Sequence, residues 1–283
     1  MAELVMPTAR AFGWDLKPTS STHFAMETRA SGQFAVILNH SLLRGVTAEM
    51  IHWWFLHFPS LRVRLRDVPG YHEEVVPAYL LWHPTDHVSA TLSGVLGPGG
   101  TSRAGAKIHI QEAMQYDTYG LKYPVDTTLE VLYCEDDGWS MGLVLPLFGK
   151  VMVLSIRFKD VVDRGKHLGV HYHYEIVAGL GSRDPISRFV NRKVTGHYTQ
   201  EFFSAWHLHN AIEVGTFENF LPALYAQRSS PDTLTYAPEM NEAPSGVARQ
   251  TGYDPALLER RREGYRNTKN AFAFQSAEAP ASF

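Results

Sequence analysis

The sequence predicts an α+β fold in which a curved antiparallel sheet wraps around one long C-terminal helix. Three observations predict it: a helical run that ends at Pro59, a series of short strand-like runs between residues 72 and 178, and a long helical stretch that begins after Asp184. This packing encloses a cavity between the sheet and the helix, which is a common place for a small-molecule site.

The first predicted helix lies in the run GVTAEMIHWWFLHFP. Thr47 is a suitable N-cap, and Pro59 ends the helix after about three turns. We assign this helix to an N-terminal segment, residues 1–70, that packs on the core.

The strands of the sheet are predicted from short runs that are separated by turns rich in Gly and Asp. The runs are VVPAYLLWH, AKIHIQEAM, TTLEVLYCE, WSMGLVLPLF, KVMVLSIRFKDV and HLGVHYHYEIVAG. Their regular succession predicts an antiparallel meander.

The C-terminal helix is predicted to begin in RDPISRF, where Asp184 is the N-cap and Pro185 occupies the first helical position. It is predicted to continue to about Gln227. The sheet and this helix together form the predicted domain, residues 71–228.

Residues 229–283 are rich in Ser, Pro, Ala and charged residues, and we interpret them as a polar tail that is weakly ordered. Within it, the run LLERRREGY contains Leu257 and Leu258 beside three arginines. This run is a candidate contact with a second copy of the chain, so a homodimer is left open.

The charge, the apolar content and the cysteine count of the chain argue against several classes of function. The chain has 283 residues, 45% of them hydrophobic, and a net charge of −3, so it can bury a large core but offers no basic field for nucleic acid. It has no apolar run long enough for a membrane helix and no signal-peptide pattern, so we expect a cytoplasmic protein. Cys134 is the only cysteine, so any metal must be held by histidine and carboxylate side chains.

The helical run FFSAWHLHNAIEVGTFENFLPAL contains a candidate pair of metal ligands. His209 and Glu213 are four residues apart, so they lie one turn apart on the same face of a helix. The same spacing is also typical of a buried hydrogen-bonded pair or of a surface pair, and the spacing alone does not distinguish them.

A third candidate ligand lies in the strand AKIHIQEAM. Strand alternation places Glu112 in one row with Ile108, Ile110 and Met114, whereas His109 points to the other face. An unpaired carboxylate in an apolar row would cost several kcal/mol, so Glu112 needs a partner.

The run YLLWHPTDH offers the fourth ligand. Alternation along a strand would place Tyr79, Leu81 and His83 on one face, and His87 keeps their parity if the strand continues past Pro84. A site with two histidines and two carboxylates suits Zn²⁺ best, with Fe²⁺ or Mn²⁺ as alternatives.

Four motifs, IHWWFLHFP, YLLWHPTDH, the glutamate of IHIQEAM and HNAIEVGTFENFLP, resemble those of the diacetylphloroglucinol hydrolase and phloretin hydrolase family over residues 35 to 228. The resemblance implies a helix-grip domain similar to the birch-pollen-allergen and steroid-transfer folds. It also implies a zinc ion that serves to hydrolyse the carbon–carbon bond between an acyl group and an aromatic polyol.

Carried over residue by residue, the resemblance implies His87, Glu112, His209 and Glu213 as the metal ligands. His83 is the alternative to His87, because HPTDH offers two histidines. We favour His87 because its distance from Tyr79 matches that of a substrate-contacting tyrosine in the family.

The sequence departs from the family at the strand that carries a catalytic histidine, which here reads VLSIRFKD and offers Arg157 instead. The next strand places His171 and His173 on one face and Tyr172 and Tyr174 on the other, and either face could be inward. With Tyr79, our candidates for catalysis are His173, Tyr172 and Arg157, the last only as an oxyanion ligand because its guanidinium stays protonated.

Two function classes follow. The first is a metal-dependent hydrolase that cleaves a carbon–carbon bond between an acyl group and a phenolic or polyketide ring, or within a β-diketone. The second uses the same cavity for isomerisation, cyclisation or lipophile binding in secondary metabolism, without adding water. In both, the expected partner is a small aromatic or polyketide-like molecule.

Overall fold

A computed structural model of the protein describes residues 4–7, 12, 14, 16–66, 74–196, 200–229 and 233–236. It has a mixed α+β architecture in which a large curved antiparallel sheet packs against helices, as the sequence predicts at this level. The prediction for the tail falls outside these residues, apart from Ser229 and the short stretch 233–236.

The strands of the described chain are β1 Thr22–Thr28, β2 Phe34–His40, β3 Arg62–Leu65, β4 Val75–Pro77, β5 His87–Gly94, β6 Ala106–Ala113, β7 Pro124–Glu135, β8 Gly138–Leu145, β9 Gly149–Asp163, β10 Lys166–Ala178 and β11 Leu234–Tyr236. The helices are α1 Ala48–His57, α2 Tyr79–Trp82, α3 Tyr116–Tyr119, α4 Pro185–Thr195, α5 Gln200–Gly215 and α6 Phe217–Ala226. Short 3-10 helices occupy Thr19–Ser21, Pro98–Gly100 and Gly120–Lys122.

The main sheet has eight strands in the order β1-β2-β10-β9-β8-β7-β6-β5. Strands β5 to β10 are neighbours in chain order and antiparallel, which confirms the predicted meander. Strands β1 and β2, which the sequence analysis did not predict, extend the sheet beyond β10. A second sheet has the order β11-β3-β4.

Helix α1 forms as predicted and closes one end of the curved sheet. The Thr47 hydroxyl accepts a hydrogen bond from the Met50 amide, and the helix ends before Pro59. The ring of Phe55 stacks on Trp139 of β8 with centroids 5.0 Å apart, and Trp54 packs edge-on against Phe220 of α6. This aromatic core holds α1 between the sheet and the C-terminal helices.

The C-terminal helical region differs from the prediction, because three helices occupy it instead of one. The predicted start is right: the Asp184 carboxylate accepts a hydrogen bond from the Ser187 amide, and Pro185 begins α4. The break between α5 and α6 lies at Thr216, whose hydroxyl is 2.6 Å from the Glu213 carbonyl and 2.7 Å from the Trp82 carbonyl. A threonine hydroxyl that contacts a carbonyl in the preceding turn is a known cause of helix bending.

The run YLLWHPTDH also differs from the prediction, since it is not a continuous strand. Residues Tyr79–Trp82 form the single turn of α2, and β5 begins only at His87. Between them the chain turns at Pro84, where the His83 Nδ1 atom accepts hydrogen bonds from the amides of Thr85 and Asp86. The side-chain parity that was expected along this run therefore does not apply.

None of the helices in the described ranges is both long and apolar enough to cross a membrane.

Candidate metal centre

The structure brings together the four side chains that the sequence analysis selected as metal ligands. His87 is the first residue of β5, Glu112 lies on the neighbouring strand β6, and His209 and Glu213 stand one turn apart on α5. All four are at least nine-tenths buried. The site therefore joins the last strand pair of the sheet to the helix that packs across it.

The distances between the donor atoms are those of a coordination shell. His87 Nε2 lies 3.4 Å from Glu112 Oε2 and 3.8 Å from Glu213 Oε1. His209 Nε2 lies 3.8 Å from Glu112 Oε2 and 3.7 Å from Glu213 Oε2. Ligand atoms about 2.1 Å from a tetrahedral ion lie about 3.4 Å from one another. His87, Glu112 and His209 form a group that could hold such an ion, and Glu213 lies beside it with a different oxygen towards each histidine.

The outer nitrogens of both histidines are hydrogen-bonded in a way that directs Nε2 towards the centre of the cluster. His87 Nδ1 lies 2.9 Å from the Tyr79 carbonyl, and His209 Nδ1 lies 2.9 Å from Asp86 Oδ2. A carbonyl oxygen can only accept, so His87 carries its proton on Nδ1 and has its lone pair on Nε2. The Asp86 carboxylate favours the same arrangement in His209, as in many metal sites.

Asp86 is a functional residue that the sequence analysis missed. It is fully buried, and its Oδ2 atom accepts a hydrogen bond of 2.8 Å from the Gln115 amide in addition to its contact with His209. Its Oδ1 atom is 3.0 Å from the Thr85 hydroxyl and accepts from the Tyr116 amide. Asp86 thus ties the turn before β5 to the turn after β6 and to α5.

His83, the alternative first ligand, lies behind His209 on the side of Asp86. Its ring stacks on His209 with centroids 4.5 Å apart, and its Nε2 atom is 3.4 Å from Asp86 Oδ2. Among the residues that the structure describes, two buried groups are close enough to hold a metal ion: His83 with Asp86 and His209, and His87 with Glu112 and His209. His209 belongs to both groups, but His87 also lies 3.8 Å from Glu213, which stands one turn beyond His209 on α5. The arrangement therefore favours His87 over His83.

The buried carboxylates of the cluster shift the pKa values of its members in the direction that favours bound protons or a bound cation. Burial raises the pKa of Glu213 to about 8, against the opposing effect of His209. Burial lowers the pKa of His209, but the hydrogen bond to Asp86 and the charges of Glu112 and Glu213 outweigh it and raise that pKa to about 9. In the absence of a cation, protons therefore balance the buried carboxylates, and a divalent ion would replace them.

Tyr79, one of the candidate catalytic residues, lies at the edge of the cluster. Its hydroxyl donates a hydrogen bond of 2.6 Å to Glu112 Oε2, and its ring stacks on His87 with centroids 3.8 Å apart. Burial and the nearby carboxylates raise its pKa well above the ordinary value, so it is a neutral hydrogen-bond donor. It contacts two of the four candidate ligands.

The inward face of HYHY on β10 is the one that carries the tyrosines. Tyr172 and Tyr174 are buried on the helix side of the sheet, and burial next to Glu213 raises the pKa of both hydroxyls well above the ordinary value. Tyr174 lines the cavity described below, whereas Tyr172 packs edge-on against His40 beside it.

His173 and Arg157 lie on the opposite face of the sheet, so their proposed catalytic roles must be corrected. His173 Nδ1 is 2.7 Å from Asn39 Oδ1, and the Arg157 guanidinium stacks over the Tyr133 ring at 4.4 Å. The two residues are cross-strand partners, and alternation along β9 and β10 directs their neighbours Ile156 and Tyr174 inward instead. Neither side chain lines the cavity.

A second buried network, also missed from the sequence, supports Glu213 from behind. The Asn210 amide donates a hydrogen bond of 3.2 Å to Glu213 Oε2, and Asn210 Oδ1 lies 3.0 Å from His40 Nε2. Burial lowers the pKa of His40 to about 3, so its ring is neutral and donates from Nε2. The network connects α5 to β2.

Three of the four candidate ligands, Glu112, His209 and Glu213, stand at one end of a cavity of about 530 Å³ between the sheet and α5. Glu112, His209, Glu213 and the Tyr79 hydroxyl are its polar groups at that end. Most of the remaining wall consists of aliphatic and aromatic side chains from β6 to β10 and from the first half of α5. A volume of this size is typical of sites for drug-sized ligands.

Comparison with models of known protein families gave no match, and comparison with curated proteins gave none either. Protein Ms6760 from Mycobacterium smegmatis, a solved structure, is similar at 12% identity over 68% of this chain and 95% of its own length, with a TM-score of 0.33. SA2116 from Staphylococcus aureus, a protein of unknown function, is similar at 10% identity over 66% and 94% of the two chains, with a TM-score of 0.31. Ara h 8.0201 is similar at 14% identity over 46% and 74%, with a TM-score of 0.23. These values are too low to assign a fold family or an activity.

Proposed function

We propose that this protein is a zinc-dependent hydrolase that cleaves the carbon–carbon bond between an acyl group and a phenolic or polyketide ring, or within a β-diketone. The observation that carries the proposal is the His87, Glu112, His209 and Glu213 cluster at the polar end of an apolar cavity. Together with the motif resemblance to the diacetylphloroglucinol and phloretin hydrolases, it favours an enzyme over a carrier.

The donor set supports zinc. Two imidazole nitrogens and two carboxylates suit Zn²⁺, whereas Mg²⁺ and Ca²⁺ prefer sites made only of oxygen. Fe²⁺ and Mn²⁺ accept the same donors and remain the alternatives. When bound, such an ion supplies a Lewis acid that polarises a carbonyl oxygen and lowers the pKa of water.

The side chains around the cluster suit the proton transfers that this reaction needs. Hydrolysis adds the hydroxyl group of water to the acyl carbon and a hydrogen atom to the ring carbon, so a proton must reach the ring as it departs. Tyr79 and Tyr174 are the neutral hydroxyl donors in the cavity wall nearest to Glu112 and Glu213. The apolar wall limits access of bulk water to the reacting atoms.

The helix-grip fold is part of the same proposal. We infer a helix-grip domain, in which the sheet curves around α5 and the cavity lies between them. The interruption of the C-terminal helix at Thr216 is a departure from the single long helix of that fold. It leaves α5 as the gripped helix and places α6 against α1.

A second candidate function is isomerisation, cyclisation or lipophile binding in the same cavity. The placement of His173 and Arg157 on the outer face favours it, because the described cavity wall then holds no histidine apart from His209 to serve as acid or base. In this alternative the ion and the tyrosines polarise a substrate without the addition of water.

The two functions are separated by turnover of 2,4-diacetylphloroglucinol and related acylphenols in oxygen-18 water. Label in the released carboxylic acid is the expected result, and Glu213→Gln should abolish it. His171→Ala, which changes an exposed histidine on β10, is the control and should react like the wild type. Formation of an unlabelled isomer would instead favour the second function.

A further inference from the structure

The cavity is much longer than its polar end. On β10 it extends from Tyr174, beside the ligand cluster, to Ala178, a distance of about 13 Å along a strand. On α5 it extends from Glu213 back to Phe203, about 15 Å along a helix. The two estimates agree, so one dimension of the cavity is well beyond the width of a single phenolic ring.

The far end of the cavity is a connected apolar patch. Met152 of β9 pairs with Ala178, and Ala178 pairs with Phe34 of β2. The ring of Phe34 contacts Phe203 of α5 with centroids 5.1 Å apart. We call these four residues the distal patch. It contains no hydrogen-bonding side chain, so it offers binding energy only to an apolar group.

Away from the candidate ligands, the described cavity wall offers no positive charge to an anionic group. No lysine or arginine lines it, and its acidic residues are Glu112 and Glu213 at the cluster and Asp126, which pairs with Gln111 next to Glu112. A carboxylate or phosphate on a part of the ligand distant from the cluster would lie among apolar side chains. The cost of burying it unpaired is prohibitive.

We propose that the cavity selects an uncharged phenol or β-diketone that carries a medium-length alkyl or acyl chain, and that this chain lies on the distal patch. The inference rests on the proposed function for the orientation of the phenolic end at Glu112 and Glu213. It goes beyond that function by naming the part of the substrate that supplies affinity. A short acetyl group leaves the distal patch unused.

Binding of alkylresorcinols tests the inference without any turnover, because these phenols have no acyl group to hydrolyse. The wild-type protein loaded with zinc is titrated with resorcinol and with 4-hexylresorcinol by calorimetry. We expect at least a tenfold tighter dissociation constant for the hexyl compound, since each methylene group removed from water contributes about a fourfold gain. Equal affinities would overturn the proposal.

A pair of variants tests whether the hexyl chain of the ligand lies on the distal patch. Met152 is half-buried and lines the distal patch, so Met152→Trp should fill that patch. Val153→Trp is the control, because Val153 is the next residue of β9 and lies outside the cavity wall. Met152→Trp should remove most of the gain for 4-hexylresorcinol and leave resorcinol unchanged, whereas Val153→Trp should bind both as the wild type does. An equal loss for both ligands in Met152→Trp, or the same loss in both variants, would refute the location.

Turnover of acylphloroglucinols then separates this inference from the proposed function. With an active hydrolase, KM should fall from the acetyl to the hexanoyl compound in the wild type and not in Met152→Trp. If no acylphenol is hydrolysed but 4-hexylresorcinol still binds at the distal patch, the proposed reaction fails and the ligand class stands. If acylphenols are hydrolysed with no dependence on chain length, the reaction stands and the ligand class fails.

Discussion

Replacement of Asp86 by asparagine should weaken zinc binding while leaving all four candidate ligands in place. An amide can offer an acceptor on one side only, whereas Asp86 accepts on both: from His209 and the Gln115 amide at Oδ2, and from Thr85 and the Tyr116 amide at Oδ1. In either orientation the amide nitrogen of the variant faces two donors.

The size of the effect follows from these contacts. Loss of an outer partner of a metal-bound histidine typically costs 10- to 100-fold in metal affinity, and we expect a loss of about that size for Asp86→Asn. Each buried donor that loses its acceptor also costs about 1–3 kcal/mol of folding free energy. The variant should therefore bind zinc more weakly and also unfold at a lower temperature.

The assay is competition for zinc with a chromogenic chelator, combined with thermal unfolding of the metal-free protein. Asp160→Asn is the matched control, because Asp160 makes a similar contact of 2.8 Å with His167 on the surface. The control should keep wild-type zinc affinity. A wild-type zinc affinity for Asp86→Asn would refute the role of Asp86 in orienting His209.

Three further predictions concern the metal, the donor hydroxyl and the chain end. Protein purified without chelator should contain close to one zinc ion per chain by elemental analysis, and His209→Ala should lose most of it; a folded, metal-free wild type would contradict the site. Tyr79→Phe should keep its zinc but lose about 100-fold in turnover of an acylphenol, and unchanged turnover would exclude Tyr79 from proton transfer. A chain that ends after Gln227 should melt well below one that ends after Tyr236, because it loses the buried β11; equal melting temperatures would show that β11 adds nothing.

Periodicity alone predicted the orientation of three of the four candidate ligands, whereas their assignment as ligands came from the motif resemblance. The turn of a helix places His209 beside Glu213, and the alternation of a strand places Glu112 in an apolar row. Both rules are local, so one sequence suffices to apply them. His87 required the motif resemblance, because the strand parity that supported it does not exist in α2 and the turn that follows.

The missed features depend on contacts between distant parts of the chain. Asp86 acquires its role only when the turn before β5 meets the end of β6 and α5, and no spacing in HPTDH indicates this. The pattern HYHY specifies two faces, but which one is inward depends on the helix that covers the sheet. The short apolar run of α2 fits a strand and a helix equally well, since periodicity is ambiguous at that length.

Strand β5 is the terminal strand of the eight-stranded sheet, and it begins at His87. An open strand edge presents backbone amides and carbonyls that can pair with another chain, and proteins commonly restrain such edges to avoid aggregation. A metal ion held by His87 and by two residues of α5 would pin the start of this edge strand to the body of the protein. Removal of the ion by a chelator would remove this restraint on β5, so we expect the metal-free protein to self-associate more readily on storage.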